Sequence, residues 1–289
     1  MKRTFSLVRY ESSDDEPEQC QETVPKRKLP RISPALSVTV PNSDPRQHQG
    51  RIRSFPHVEG QFAAFVYIPL ILSTNGKLFD LLRKAVEKAN EIVPELMYDW
   101  SENEACELHI SLTRPIYIRH HQREELKRAV RSIARSNHPF TASFSTFSSF
   151  TNDENTRTFL GIDIGAGHKE MEILSNSIHP TLQLLRQKEF YEEPRFHISI
   201  AWALLESAPI SSTESSLFGP SINSPGAKEN AKRRKKMARA IHSFPSNLVP
   251  VLNTLYVKEL SSGVVGTFDV DKLCVRIGKE VSNWNLTGT

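Results

Sequence analysis

A five-residue pattern occurs twice in this chain, as Leu108-His109-Ile110-Ser111-Leu112 and as Phe196-His197-Ile198-Ser199-Ile200. Each copy alternates apolar and polar residues, the mark of a strand with one face in a core and the other open. The histidine and serine then share the polar face, while three apolar side chains grip the core behind them. The two histidines stand 88 residues apart, too far for a solenoid repeat and suited to two similar lobes of one domain. If the two strands lie near each other, both polar faces line a common space.

The tripeptide alone is cheap. His-x-Ser/Thr also occurs at His179-Pro180-Thr181, so three of the ten histidines satisfy it. Pro180 has no N–H to offer a central strand ladder and falls in a helical stretch, which leaves His109 and His197 as the copies in strand context. Two readings of that pair stay open: half-buried imidazoles hydrogen-bonded to their serines, or a pair that moves protons, which the matched copies favour. Metal binding is the weaker alternative. Neither motif has HExxH spacing or a carboxylate in register, and His120-His121 would point to opposite sides of a strand, so no metal site and no cofactor are expected.

Histidine titrates near neutrality, so one imidazole can accept a proton while the other donates one. Placed on opposite sides of a phosphodiester, the pair suits RNA cleavage: one takes the proton of the 2′-OH that attacks phosphorus, the other protonates the departing 5′-oxygen. Ser111 and Ser199 can donate to the non-bridging oxygens and stabilise charge on the phosphorane. Dependence on the 2′-OH would itself separate RNA from DNA.

Residues 1 to 55 are rich in Pro, Ser, Gln and charge and read as a disordered polar tail, leaving 56–289 as the folded, two-lobed domain. Gln61 to Leu70 reads as a strand. A helix follows, capped by Ser73 or Thr74, with Phe79, Leu82, Ala85, Val86, Ala89 and Ile92 at helical spacing. The first His-Ile-Ser strand is expected from about Ala105 to Tyr117, then a helix over 124–136 and strands near 140–150 and 157–164, joined by the polar turn Thr151 to Asn155. A helix from about Lys169 to Gln187, kinked or split at Pro180, precedes the second motif. Ser207 to about Lys228 is dense in Ser, Pro and Gly and reads as a flexible insertion. A basic helix around 228–242 and strands near 250–260, 264–270 and 272–277 complete an α+β fold of two lobes with antiparallel sheets and packed helices around a central groove.

The net charge of +4 permits a polyanionic partner without demanding one. Its distribution says more: Lys26-Arg27-Lys28 and Lys232 to Lys236 are basic runs that suit either solvation, nuclear import or nucleic-acid contact. Cys20, Cys106 and Cys274 are odd in number and free of CxxC pairing, which fits a reducing compartment. No apolar run approaches the ~20 residues of a membrane helix, and the start MKRTFSLVRYESSDDEPEQ turns acidic before any apolar stretch, so neither a membrane span nor a secretory signal is expected.

The paired His-x-Ser tripeptides resemble the signature of the two-histidine phosphoesterase superfamily. Four segments in order, RIRSFPHVEGQFAAFVYIPL at 51–70, LHISLTRPIYIRHH at 108–121, TNDENTRTFLGIDI at 151–164 and FYEEPRFHISIAW at 190–202, are similar more closely to the U6 small nuclear RNA phosphodiesterase family. That resemblance implies a nuclear 3′-to-5′ exoribonuclease that trims the uridine-rich single-stranded 3′ end of U6 RNA as a monomer. It implies catalytic roles for His109 and His197, and phosphate binding by Ser111 and Ser199. An aromatic six residues before the second histidine stacks on the terminal base in the family, which carries over to Tyr191. Arg195 falls at the strand entrance that lines the nucleotide pocket, and Asp153 falls in a hairpin turn that approaches the nucleotide, where a carboxylate could accept the uracil N3–H. Two other readings stay open: a cyclic-nucleotide or tRNA-end phosphodiesterase of the same superfamily, and a non-catalytic RNA-binding module.

Overall fold

The computed structural model describes residues 58–98, 106–206 and 239–289. The polar tail, both basic runs and the insertion lie outside the described residues.

Strand β1 (Gln61–Leu72) leads to helix α1 (Lys77–Ile92), which buries Phe79, Leu82, Ala85, Val86 and Ala89 along one stripe. Its N-cap is Gly76, not Ser73 or Thr74, because a turn closed by Gly76 N–H donating to the Ser73 carbonyl at 2.9 Å moves the helix start onward. Helix α1 ends at Val93, ahead of Pro94, which disfavours helical geometry in the residue before it.

The single strand expected from Ala105 to Tyr117 is two: β2 (Cys106–Ser111) and β3 (Ile116–Arg119). Pro115 cannot donate to a ladder. Between the strands the buried Thr113 substitutes its hydroxyl for a backbone acceptor, taking the Val66 N–H at 3.0 Å, so the chain bends and still pairs with β1.

Helix α2 (Arg123–Ser136) precedes the hairpin of β4 (Phe140–Thr151) and β5 (Arg157–Ile164). Asn152 fixes the tip, its side-chain carbonyl accepting the N–H groups of Thr156 and Arg157 at 3.0 and 2.8 Å. Helix α3 (His168–Leu184) runs through Pro180 unsplit and ends before Gln187. The second motif opens β6 (His197–Leu204).

Residues 250–260, read from sequence as a strand, form helix α4 (Leu248–Leu260). A short apolar run leaves helix and strand ambiguous; here the buried Leu248, Leu252 and Leu260 recur at helical spacing, and Pro250 falls in the first turn, where a missing N–H costs little. Ala240 to His242, at the end of the expected basic helix, are not helical, and Ile241 instead bridges to Leu205. Strands β7 (Thr267–Val270), β8 (Lys272–Ile277) and β9 (Glu280–Asn285) close the chain.

The strand order is β7-β4-β5-β6-β2-β1-β8-β9, with β3 also beside β1. Four strands lie on the β6 side of the β6–β2 junction and five, counting β3, on the β2 side, and the units β1-α1-β2 and β5-α3-β6 each place a helix between antiparallel neighbours. These are the two expected lobes, merged into one sheet. Helices α1 and α4 pack together, as do α2 and α3, and their buried faces join Ile110, Ile162 and Ile198 in one core. Burying each such side chain contributes about 1.5–3 kcal/mol, so the strands that carry the motifs are anchored from behind.

Candidate active site

The two halves of the sheet join where β2 pairs with β6. Ile110 opposes Ile198 across the antiparallel β2–β6 junction, and both are fully buried. These are the central residues of the two His-Ile-Ser motifs, so a local two-fold axis passes between them. Continuing that register sets His109 opposite Ser199 and Ser111 opposite His197. All four side chains stand on the face away from the core, at spacings of about 4.5–5.5 Å between opposed Cβ atoms. The structure therefore brings together the four residues picked from the motifs and leaves His179 apart, inside α3.

His197 is held on two sides. Its Nδ1 lies 2.7 Å from the Arg195 carbonyl, which can only accept, so Nδ1 carries the proton and Nε2 is left for a ligand. Its ring stacks on Phe150 at 3.7 Å between centroids and 11° between planes. Phe150 reaches that position from β4 by crossing β5 where residue 161 has no side chain: a Cβ on Gly161 would sit 2.8 Å from the Phe150 ring and 2.6 Å from the Ile198 carbonyl. The Arg195 guanidinium lies 4.8 Å from the Phe150 centroid and pairs with Asp163 at 2.9 Å. Ser148 donates its hydroxyl to the same carboxylate.

His109 has a looser aromatic setting, with Phe65 at 5.5 Å and Tyr67 edge-on at 5.6 Å. The Tyr67 hydroxyl donates to Glu107 at 3.2 Å. Burial is the first cause that pushes the Tyr67 hydroxyl up to about 12, which keeps it a neutral donor. Arg276 of β8 lies over Phe65 at 5.8 Å.

Both imidazoles titrate below the ordinary histidine value. Desolvation is the first cause in each case. For His109 the Arg276 charge and the His197 charge lower it further while Glu107 opposes them. For His197 the hydrogen bond to the Arg195 carbonyl and the Asp163 charge pull upward, and the Arg195 charge pulls downward. Two imidazoles that disfavour each other's charge form a coupled pair, in which one proton is held more readily than two.

Two of the remaining candidates, Tyr191 and Asp153, form a second cluster. Tyr191 is exposed, donates its hydroxyl to Asp153 at 2.8 Å, and carries the Arg114 guanidinium 3.8 Å from its ring centre. Arg114 also pairs with Asp153. Arg114 follows β2 and Asp153 sits in the β4–β5 turn, so this contact joins the two lobes beside the motifs. Arg195 is committed to Asp163, and Asp153 to Arg114 and Tyr191. Sequence reasoning missed Phe150, Gly161, Tyr67, Arg114 and Arg276. No local motif marks them, because each acts across strands that are distant in the chain. Among the described residues, no group of three His, Cys, Asp or Glu side chains is placed to hold a metal ion, and Cys106 and Cys274 are buried free thiols.

Residues 27–285 match the HVSL family, described as an uncharacterised conserved protein. The U6 snRNA phosphodiesterase 1 of Mus musculus is 31% identical over 189 residues, covering 64% of this chain and 68% of that protein. The Xenopus laevis U6 snRNA phosphodiesterase 1 is 30% identical over 209 residues, covering 69% of this chain and 80% of that protein. Among solved structures, Kluyveromyces marxianus Usb1 with uridine monophosphate aligns at a TM-score of 0.48 and 14% identity, covering 78% of this chain and 98% of that one. E. coli LigT complexed with 3′-AMP aligns at 0.40 and 13%, covering 78% and 99%.

Proposed function

This chain belongs to the U6 snRNA phosphodiesterase family, and we infer that it shortens the uridine-rich 3′ end of U6 snRNA, one nucleotide at a time, by metal-independent transesterification. The observation that carries this reading is the Ile110 to Ile198 junction, which sets two imidazoles and two hydroxyls on one open face.

In the reaction one imidazole of His109 and His197 takes the proton of the 2′-OH on the penultimate ribose. The freed oxygen bonds to phosphorus, the bond from phosphorus to the 5′-oxygen of the terminal nucleoside breaks, and the other imidazolium protonates that oxygen. The shortened RNA carries a 2′,3′-cyclic phosphate, and a nucleoside with a 5′-OH departs. Ring opening by water would convert the end to a 3′-phosphate. Ser111 and Ser199 donate to the non-bridging oxygens while charge accumulates on them.

Tyr191 supplies the stacking surface for the terminal base, with its plane held by Arg114 and Asp153. Asp153 keeps lone pairs beyond those two contacts for a uracil N3–H, and Arg114 offsets its repulsion of phosphate. Arg195, half spent on Asp163, closes the wall beside His197. The protein works as a nuclear monomer, without membrane attachment.

Digestion of 5′-labelled uridine-tailed and adenosine-tailed RNA, with mapping of each 3′ end and its phosphate, tests the reading. Stepwise shortening to cyclic-phosphate or 3′-phosphate ends supports it. Ring opening of cyclic phosphates without shortening would assign a cyclic phosphodiesterase instead, and binding without turnover would assign an RNA-binding module. A reporter fusion that stays in the cytoplasm would contradict the nuclear placement.

A further inference from the structure

The face that carries the motifs continues past them. Register along β1 pairs Pro69 with His109, Tyr67 with Ser111, Ala63 with Tyr117 and Gln61 with Arg119. Directly opposed residues share a face and so do residues two apart, so Tyr117 and Arg119 stand on the same side of the sheet as the two motif side chains. At their end of that face lies a cavity of about 350 Å³, lined in part by Gln61, Tyr117, Arg119, His121, Arg186 and Gln187. No Asp or Glu is among the described residues that line it.

Two arginines beside the motifs are already paired, Arg114 with Asp153 and Arg195 with Asp163, and a third, Arg276, lies over Phe65. Arg119 and Arg186 are exposed, and among the described residues neither takes part in an ion pair. Arg186 also occupies an unusual place. It follows the end of α3 with φ of 55°, the left-handed exit that a glycine would take without strain. Gln187, next in the chain, accepts the Tyr117 N–H at 3.0 Å through its side chain and so fastens this exit to β3.

The distance to the active site is bounded by chain geometry. Tyr117 is three residues from Arg114, at most about 10 Å, and Gln187 is four from Tyr191, at most about 14 Å. Gln61 and Tyr67 are separated by about 20 Å along β1. The cavity is therefore beyond the groups that handle the scissile phosphate but within reach of the same strand.

We propose that the Arg119–Arg186 cavity is a second phosphate site, which holds a phosphate of the RNA chain outside the dinucleotide being cleaved. This rests on the RNA phosphodiesterase reading above. The site binds charge and shape without reading bases, and it lets an RNA end dock by two points, at the cavity and at Tyr191.

The test uses Arg186→Gly, which suits the left-handed backbone there, combined with Arg119→Gln. Three probes are compared in the full-length protein: a uridine dinucleotide with a 3′-OH, the same dinucleotide with a 3′-phosphate, and an oligouridine of about 12 nucleotides, within the span such grooves cover. Binding is read by fluorescence anisotropy in a His109→Ala background, and turnover in the parent background. Loss of roughly tenfold or more in affinity for the long probe beyond any loss for the 3′-OH dinucleotide is expected, together with a fall of about 0.7 in the salt slope per phosphate contact removed. Loss confined to the 3′-phosphorylated dinucleotide would place the end group there, still as a phosphate. Equal loss on all three probes, or no loss, overturns the proposal. A parent that binds the long probe through these arginines but never shortens RNA would sink the functional reading and leave the cavity standing.

Discussion

Gly161→Ala is the substitution with the sharpest expected consequence. The added methyl would lie 2.6 Å from the Ile198 carbonyl and 2.8 Å from Phe150 Cε2, whereas ordinary contact begins at 3.4 Å. The ring must retreat by about 0.6 Å and the carbonyl by about 0.8 Å, both against packed neighbours. Overpacking of this kind costs about 1–3 kcal/mol, which corresponds to a fall in Tm of roughly 2–12 °C at this domain size. The strain falls on the motif itself, because Ile198 is its central residue and Phe150 is the ring stacked on His197 at 3.7 Å. Displacement of a catalytic group by about 1 Å can cost 10²-fold in rate, so kcat on a uridine-tailed RNA should fall by about an order of magnitude or more. Thermal melts and single-turnover kinetics on Gly161→Ala, Phe150→Ala and the double variant form a cycle. With the ring removed one of the two clashes disappears, so Gly161→Ala should cost less, with a coupling of about 0.5–3 kcal/mol. Wild-type Tm and rate for Gly161→Ala, or strict additivity in the cycle, would refute the idea that the missing side chain admits Phe150 to His197.

Four further outcomes are expected. Both imidazoles titrate below 6.5 in the free protein, so kcat/KM should peak on the acid side of 6.5: the base is lost as pH falls and the acid is lost as pH rises. An optimum above neutrality would contradict this. The same shifts mean that the unfolded chain binds more protons than the folded one below about 6.5, so stability measured by denaturant titration should decline as pH falls through that value, and less so in His109→Gln/His197→Gln. Tyr191→Ala should weaken binding of a uridine end by about 1–3 kcal/mol, whereas Tyr191→Phe keeps the stack and forfeits only the hydrogen bond to Asp153, about 0.5–1.5 kcal/mol; equal losses would argue against stacking. His109→Ala and His197→Ala should each reduce trimming by about 10²–10⁴-fold in excess chelator, where the parent retains its rate; a parent that stops in chelator would remove the metal-free mechanism.

The duplicated strand, the helices with clear periodicity and the lobed architecture were legible because alternation and helical spacing are local. Residues 250–260 read as a strand from sequence because the short apolar runs Leu248 to Leu252 and Leu255 to Val257 fit either period, and the helical one is decided by the partners on α1 and β4. The break between β2 and β3 turns on Thr113 reaching Val66, a contact over 47 positions. The surroundings of His109 come from still farther away: Arg276 belongs to a strand inserted beside β1 from near the end of the chain. Spacing rules see neither case.

The two-fold relation at Ile110 and Ile198 makes the motifs equivalent in backbone but not in dressing. His197 has one nitrogen fixed by a carbonyl and one face covered by Phe150, so its ring has a single orientation and a single free nitrogen. His109 meets its aromatic neighbours at 5.5 and 5.6 Å, with no comparable stack among the described residues. Desolvation lowers both, and the His197 charge lowers His109 again. Because that repulsion is reciprocal, adding the first proton makes the second harder to add, which widens the pH range over which the pair holds one. Transesterification needs that singly protonated state, one imidazole to receive and one to give. The proposed catalytic unit is therefore the pair across the junction, and a change that moves the two imidazoles apart should narrow the pH range as well as slow the rate.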